Sequence, residues 1–263
     1  MKPLQSRVFR AQMGCVYSGG VSLRSRSAVV VTVGNEIVSG DVENTNASWL
    51  ARRLAKLGVE VLLLAAVRDD VDEIAALLRT ERERADLVFV TGGLGGTPDD
   101  ITREAVGAAF EVECEEFPEV ADDLRRRFGT RGLGDYAARW AKLPRGARPL
   151  GNPLGGAPGF VLGNVHVLPG LPREMEAMFD SIALGFQGRP IGTWRRRYRT
   201  GEGQIVGVLE EATRRHPAVT VGSYPSFLAD GPEVEVVLKS SDEDALVEAA
   251  AWVESALGEI RAG

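Results

Sequence analysis

Apolar residues along this chain fall into two recurring patterns. Some form short unbroken runs rich in β-branched residues, and others recur every three or four positions. Ala28–Val33 is an unbroken run that stops at Gly34, which predicts a buried parallel strand. Over 46–57, Trp49, Leu50, Leu54 and Leu57 share one helical face; Asn44 or Thr45 offers a cap and Gly58 a stop. Val59–Val67 reads as a second buried strand, and Asp70 opens a second helix with Ile74, Leu77 and Leu78 facing inward. Leu87–Val90 is a third strand and Asp100–Phe110 a third helix. Three strand–helix repeats at this spacing predict right-handed βαβ units, hence a three-layer α/β/α fold with a mainly parallel sheet. Such sheets bind ligands beyond the carboxyl ends of their strands. The polar segments 34–45, 68–70 and 92–99 lie there.

Beyond the third repeat the pattern changes. Residues 111–140 are charged and helical, with Pro118 at a helix start. Residues 152–159, NPLGGAPG, form a turn, and Gly159–Leu168 reads as a hairpin around Gly163-Asn164. A helix follows over 173–179. Composition shifts near 188–193, which sets a domain boundary: a larger α/β domain over 28–188 and a small α+β domain over 193–260. The small domain reads as strand 194–200, helix 202–215, strands 219–223 and 233–239, and helix 242–257. It has no GXXG loop between two helices, so RNA is not indicated as a partner.

Composition narrows the function classes. With 44% apolar and 26% charged residues the chain is an ordinary globular one. Its longest apolar stretch, Val59–Val67 interrupted by Glu60, is too short to cross a bilayer. Residues 1–27 carry five basic residues, Lys2, Arg7, Arg10, Arg24 and Arg26, and no acid. They read as a basic, disordered leader. The other 236 residues carry −6 − 5 = −11, which argues against nucleic acid. Cys15 and Cys114 are the only cysteines, so no structural disulfide is expected and a reducing cytoplasm fits. With only His166 and His216 beside them, a zinc site is not expected either.

The candidate chemistry centres on 91–105, TGGLGGTPDDITREA. Gly92, Gly93, Gly95 and Gly96 sit between a strand and a helix, where backbone N–H groups and the helix start favour a phosphate. Asp99 and Asp100 would repel that phosphate. A divalent cation such as Mg²⁺, held by Asp69, Asp99 and Asp100, resolves the conflict; helix capping is the competing account. Thr97 and Thr102 offer hydroxyls to the same ligand, and Arg68 offers a phosphate contact. Glu36, Asp41, Asn44, Thr45 and Asn46 share that sheet edge and suit sugar hydroxyls or a base. No Ser-His-Asp or Cys-His pairing stands out.

The ordered motifs GNEIVSGDVENTNASWLARRLAKLGVEV, VRDDVDEI, TGGLGGTPDDITREAV, NPLGGAPG and LPGLPREM carry a resemblance. Together they look like the molybdopterin-binding (MoaB/Mog-like) domain family, in the branch found in the N-terminal part of CinA, the competence/damage-inducible protein A, and in FAD-synthase-associated proteins. The likeness spans about 28–185, with a weaker one over 193–258. It implies an α/β/α fold, a homo-oligomer and a small-molecule nucleotide or pterin ligand. The key carboxylates of Mog-like relatives, which adenylylate molybdopterin, match Asp69 and Asp100, and the motif series adds Gly155 and Gly156 to the ligand-binding set. CinA-type members are associated with metal-dependent hydrolysis of nucleotide pyrophosphates. The expectation is therefore a pyrophosphatase acting on a substrate of the ADP-ribose or FAD type. A molybdopterin-binding protein or adenylyltransferase and a non-catalytic nucleotide-binding scaffold are the alternatives. The nicotinamide-mononucleotide deamidase domain of CinA finds no place in this length, so deamidation is not expected. Three departures stand out: Asn35 where the family reads Asp, Arg68 where it reads Gly, and Gly96 where it reads Pro.

Overall fold

A computed structural model describes residues 26–129, 138–229 and 231–260. It divides into two compact units, one running through Arg189 and the other from Pro190.

The first unit is built on a six-stranded sheet in the order β2-β1-β3-β8-β7-β6. Its strands are β1 (Arg26–Val33), β2 (Val59–Val67), β3 (Leu87–Thr91), β6 (Arg148–Leu150), β7 (Gly159–Leu162) and β8 (Val165–Leu168). β2, β1, β3 and β8 run parallel, while β7 is antiparallel to both of its neighbours. Alternation along β1 splits the core. Val29, Val31 and Val33 face a layer formed by α3 (Val71–Arg84), α4 (Thr102–Ala109) and α5 (Pro118–Phe128). Ala28 and Val30 face α2 (Thr45–Lys56) and α6 (Pro172–Ile182), where Leu50, Leu54, Met175 and Phe179 are fully buried. Trp49 packs edge-on against Phe179, as a core residue rather than a ligand platform. A short ladder, β4 (Cys114–Glu116) with β5 (Lys142–Pro144), packs beside α4, and β4 leads into α5, which starts on Pro118.

Four expectations need correction. β2 is the edge strand, not a buried one: its residues alternate between covered and open, and Leu62 and Leu64 are exposed. β1 begins at Arg26, inside the expected leader, and Ser27 is tied to Asp86. Residues 1–25 of that segment, with Cys15, lie outside the described residues. The third helix starts at Thr102, two residues later than expected. In the 111–140 segment the main helix is Pro118–Phe128, and 130–137 lie outside the described residues.

The second unit is a three-stranded antiparallel sheet in the order β10-β11-β9. Its strands are β9 (Gly192–Tyr198), β10 (Thr220–Leu228) and β11 (Gly231–Ser240). Residues of α7 (Glu202–Arg215) and α8 (Glu243–Ile260), among them Ile205, Leu246 and Val253, share its core with Trp194, Val236 and Leu238. The arginines of β9 are engaged, Arg195 with Glu235 and Arg196 with Glu254. No helix among the described residues is long and apolar enough to cross a membrane.

Candidate functional site

β1, β2, β3 and β8 end along one edge of the sheet, and the segments that follow them wall a cavity of about 500 Å³. Five carboxylates line it: Glu36, Glu43, Asp69, Asp99 and Asp100. Among the described residues no lysine, arginine or histidine does.

The first wall continues the β1–β2 pairing past the strands. Gly34 N–H donates to the Val67 carbonyl (3.1 Å), Asn35 N–H to the Asp69 carboxylate (2.8 Å), and Asp69 N–H to Asn35 Oδ1 (3.3 Å). Burial pushes the Asp69 carboxyl above its ordinary value. The Asn35 N–H opposes that shift, and the charges of Glu36, Asp99 and Asp100 add to it. The neighbouring Asp70 has another job: it caps α3 by accepting from Asp72 and Glu73 N–H groups. Arg68 pairs with Glu73 and does not line the cavity.

The glycine-rich loop forms the second wall. Gly92 and Gly93 have φ of +106° and +63°, a region that favours glycine. A Cβ on Gly92 would stand 2.2 Å from the Val33 carbonyl oxygen. The loop then folds back on Asp100, which accepts from the N–H groups of Gly95 (2.7 Å) and Thr97 (2.8 Å) and from the Thr97 hydroxyl. Arg103, 2% exposed, donates to the Leu94 and Gly95 carbonyls, and Arg139 donates to the Thr97 carbonyl (2.9 Å). Two guanidinium groups thus hold the loop's carbonyls without entering the cavity. Sequence reasoning missed both. The available signal for Arg103 was its place on the α4 face that carries Thr102, Val106 and Ala109.

This arrangement changes several assigned roles. Gly92 N–H already donates to the Leu168 carbonyl (3.3 Å) and Gly95 N–H to Asp100, so the phosphate-facing candidates narrow to the N–H groups of Gly93 and Leu94. Thr102 is fully buried, its N–H given to the Gly93 carbonyl and its hydroxyl to Gly92. Neither the Thr102 hydroxyl nor the start of α4 faces a ligand. Gly96 and Thr97 do not line the cavity. The carboxylate triad is not assembled as a cage: both Asp100 oxygens take loop donors, and the described residues hold no group of three or more His, Cys, Asp and Glu able to hold a metal ion.

The floor lies between β3 and β8. Asn46, near the start of α2, donates through Nδ2 to Thr91 Oγ1 (3.1 Å) and to the Gly170 carbonyl (2.8 Å). Thr91 passes its own proton to the Pro169 carbonyl (2.7 Å). Asn44 caps α2, accepting from Ala47 N–H and from the Thr32 hydroxyl. Gly170, Leu171 and Pro172 complete this side, and turn propensity gave no sign of that role. Asp41 binds Ser39 and lies outside the lining, whereas Thr45 is in it. Gly155 and Gly156 are also outside. They belong to a turn closed by Asn152, which donates to the Ala157 carbonyl and to Glu174. Burial pushes the Cys114 thiol up to about 11, which disqualifies it as a nucleophile at neutral pH.

Residues 29–188 match the family described as the probable molybdopterin binding domain, and 197–262 match the FAD synthase middle domain. The first match covers more than half of the chain, which therefore belongs to that molybdopterin-binding-domain family. Its relatives include a protein of Archaeoglobus fulgidus, 36% identical over 197 residues, covering 75% of this chain and 85% of that one. A CinA-like protein of Frankia casuarinae is 37% identical over 236 residues, covering 82% of this chain but only 54% of the relative. The crystal structure of the CinA protein with unknown function from Thermoplasma acidophilum superposes with a TM-score of 0.59 at 36% identity, covering 62% of this chain and 98% of that one. Within the family, the chain falls in the CinA-like branch of the MoaB/Mog-like domains.

Proposed function

We propose that the cavity binds a nucleotide or pterin carrying a phosphoanhydride, and that the chain hydrolyses that anhydride with the help of a divalent cation. The observation that carries this reading is the lining itself: five carboxylates, no basic side chain, and a glycine loop with N–H groups to spare. A phosphate entering such a cavity needs a cation to offset the repulsion. Mg²⁺ suits these donors, because one or two carboxylates suffice when substrate phosphates and water supply the other ligands. Asp69, with Glu36 or Asp99, would hold the ion, and Asp100 keeps its place as the loop's internal acceptor. When bound, the ion would polarise phosphorus–oxygen bonds and acidify a water. Whichever of the lining carboxylates Glu36 and Asp99 does not hold the ion would be the one to receive a proton from that water. The N–H groups of Gly93 and Leu94 would orient the phosphates, and Arg103 keeps the loop in place from behind.

Hydrolysis of ADP-ribose and FAD, measured with Mg²⁺, Mn²⁺ and Co²⁺ in turn, tests the reading. Metal-dependent turnover that falls at least 100-fold in Asp69→Asn is expected. No turnover with any metal, or turnover unchanged in that variant, refutes it.

A second reading, binding without turnover, is favoured by the full engagement of Asp100 and by Asn35 standing where the family reads Asp. Calorimetric binding of molybdopterin or a nucleotide, with no product formed, would select it.

A further inference from the structure

We infer that Asn46 reads the heterocycle of the ligand, demanding an N–H donor on the ring's edge. This rests on the reading of the cavity as a nucleotide or pterin site, and it assigns that site's floor. Asn46 is 8% exposed and lines the cavity, and its Oδ1 is buried with no hydrogen-bond partner. Leaving a buried acceptor unpaired costs free energy, so native structures seldom do it without a reason.

The amide cannot escape by turning over. Its Nδ2 spends one proton on the Gly170 carbonyl and the other on Thr91 Oγ1. The Thr91 hydroxyl proton is already committed to the Pro169 carbonyl. A flipped amide would set oxygen against the Gly170 carbonyl and against a hydroxyl with no proton left to give. The orientation of Asn46 is therefore dictated by its surroundings, not chosen by convention.

Two consequences follow. Asn46 has no donor left for a ligand, so what it offers to the sugar or base expected beside it is an acceptor. The group it accepts from belongs to a flat, partly apolar body, because the Gly170 that Asn46 bonds leads straight into Leu171 and Pro172 of the lining, with Leu171 exposed. An amino N–H on a purine or pterin edge meets both requirements. A ring whose edge carries only acceptors would leave two lone pairs opposed and is excluded.

The test compares ligands that differ by one amine, on the full chain with Mg²⁺ present. Calorimetry measures ADP against the diphosphate of purine riboside, which lacks the 6-amine, and GDP against IDP, which lacks the 2-amine. In at least one pair the amine-bearing member should bind about 10- to 100-fold more tightly. Asn46→Leu should abolish that preference, so that the two members of each pair bind alike. Asn46→Ser, a smaller change, serves if the leucine variant melts early. Equal binding within both pairs overturns the role of Asn46 and leaves the phosphate site standing. A preference that survives in both variants overturns it too. Failure of all four diphosphates to bind removes the cavity reading and this inference with it.

Discussion

The chain has two glycine-rich loops of similar appearance, GGLGG at 92–96 and GG at 155–156, and only the first lines the cavity. Both sit on the same edge of the same sheet. The first follows β3, in the centre, beside the ends of β1 and β8. The second joins β6 to β7, beyond β8, where the sheet has turned antiparallel. Their restraints differ as well. The first is folded around Asp100 and held by the buried Arg103, while the second is closed by Asn152 and touched by Arg127 at the exposed end of α5. Glycine content marks where a chain turns; strand order and the side chains behind the turn decide whether it meets a ligand.

The sharpest way to break this contrast is a matched pair of alanines. Gly92→Ala places a Cβ 2.2 Å from the Val33 carbonyl at a positive φ, and should cost about 4 kcal/mol in denaturant unfolding. Gly155→Ala shares the positive φ but has only the Arg127 side chain, 3.8 Å away, beside it, so about 1 kcal/mol is expected. Equal costs would end the comparison. Next comes the pair of guanidinium clamps. Arg103→Met strands the Leu94 and Gly95 carbonyls and should lose about 3 kcal/mol along with nucleotide affinity. Arg127→Met should lose under about 1 kcal/mol and leave affinity alone.

A third measurement addresses what the loops share, the strand between them. His166 on β8 is stacked on Phe89 and set edge-on to Phe186, with Nδ1 against the Asn164 carbonyl. Burial lowers its pKa to about 4, and Arg148 pushes the same way. The folded value lies below the unfolded one, near 6.5, so the unfolded chain binds the proton first. Stability is then present above pH 6.5 and lost as pH falls toward 4, by about 2 kcal/mol between pH 7 and pH 5. Thermal melts should show that loss in the wild type, and His166→Phe should remove the His166 share of it. The smallest effect belongs to Thr97→Val. It removes the exposed hydroxyl bond to Asp100 and should cost a few tenths of a kcal/mol, with little change in unfolding midpoint.

The three βαβ repeats were readable from the chain because each strand and helix carries its own period. The loops that would wall a site followed from topology alone, as Asp69, Glu36 and Gly92 illustrate. What escaped depends on neighbours distant in sequence. Val59–Val67 is apolar enough for a central strand, yet it lies at the edge, and only strand order reveals that. Asp100 looked like a ligand to a cation because its partners, the N–H groups of its own loop, leave no trace in residue type. Asn46, read from the chain as suited to sugar hydroxyls or a base, does line the cavity, but that its donors are consumed by Thr91 and Gly170, 45 and 124 positions away, could not be read from residue type.

The reciprocal bonds between Asn35 and Asp69 separate two properties that usually change together, shape and charge. An aspartate at position 35 retains an acceptor for the Asp69 N–H, so the two loops keep their spacing with either residue. What differs is a full negative charge, placed beside a cavity that already holds five carboxylates. Position 35 therefore acts as a dial for the electrostatic potential of the cavity that leaves its backbone untouched. A lineage that turns this dial can retune its cation demand while inheriting the same scaffold.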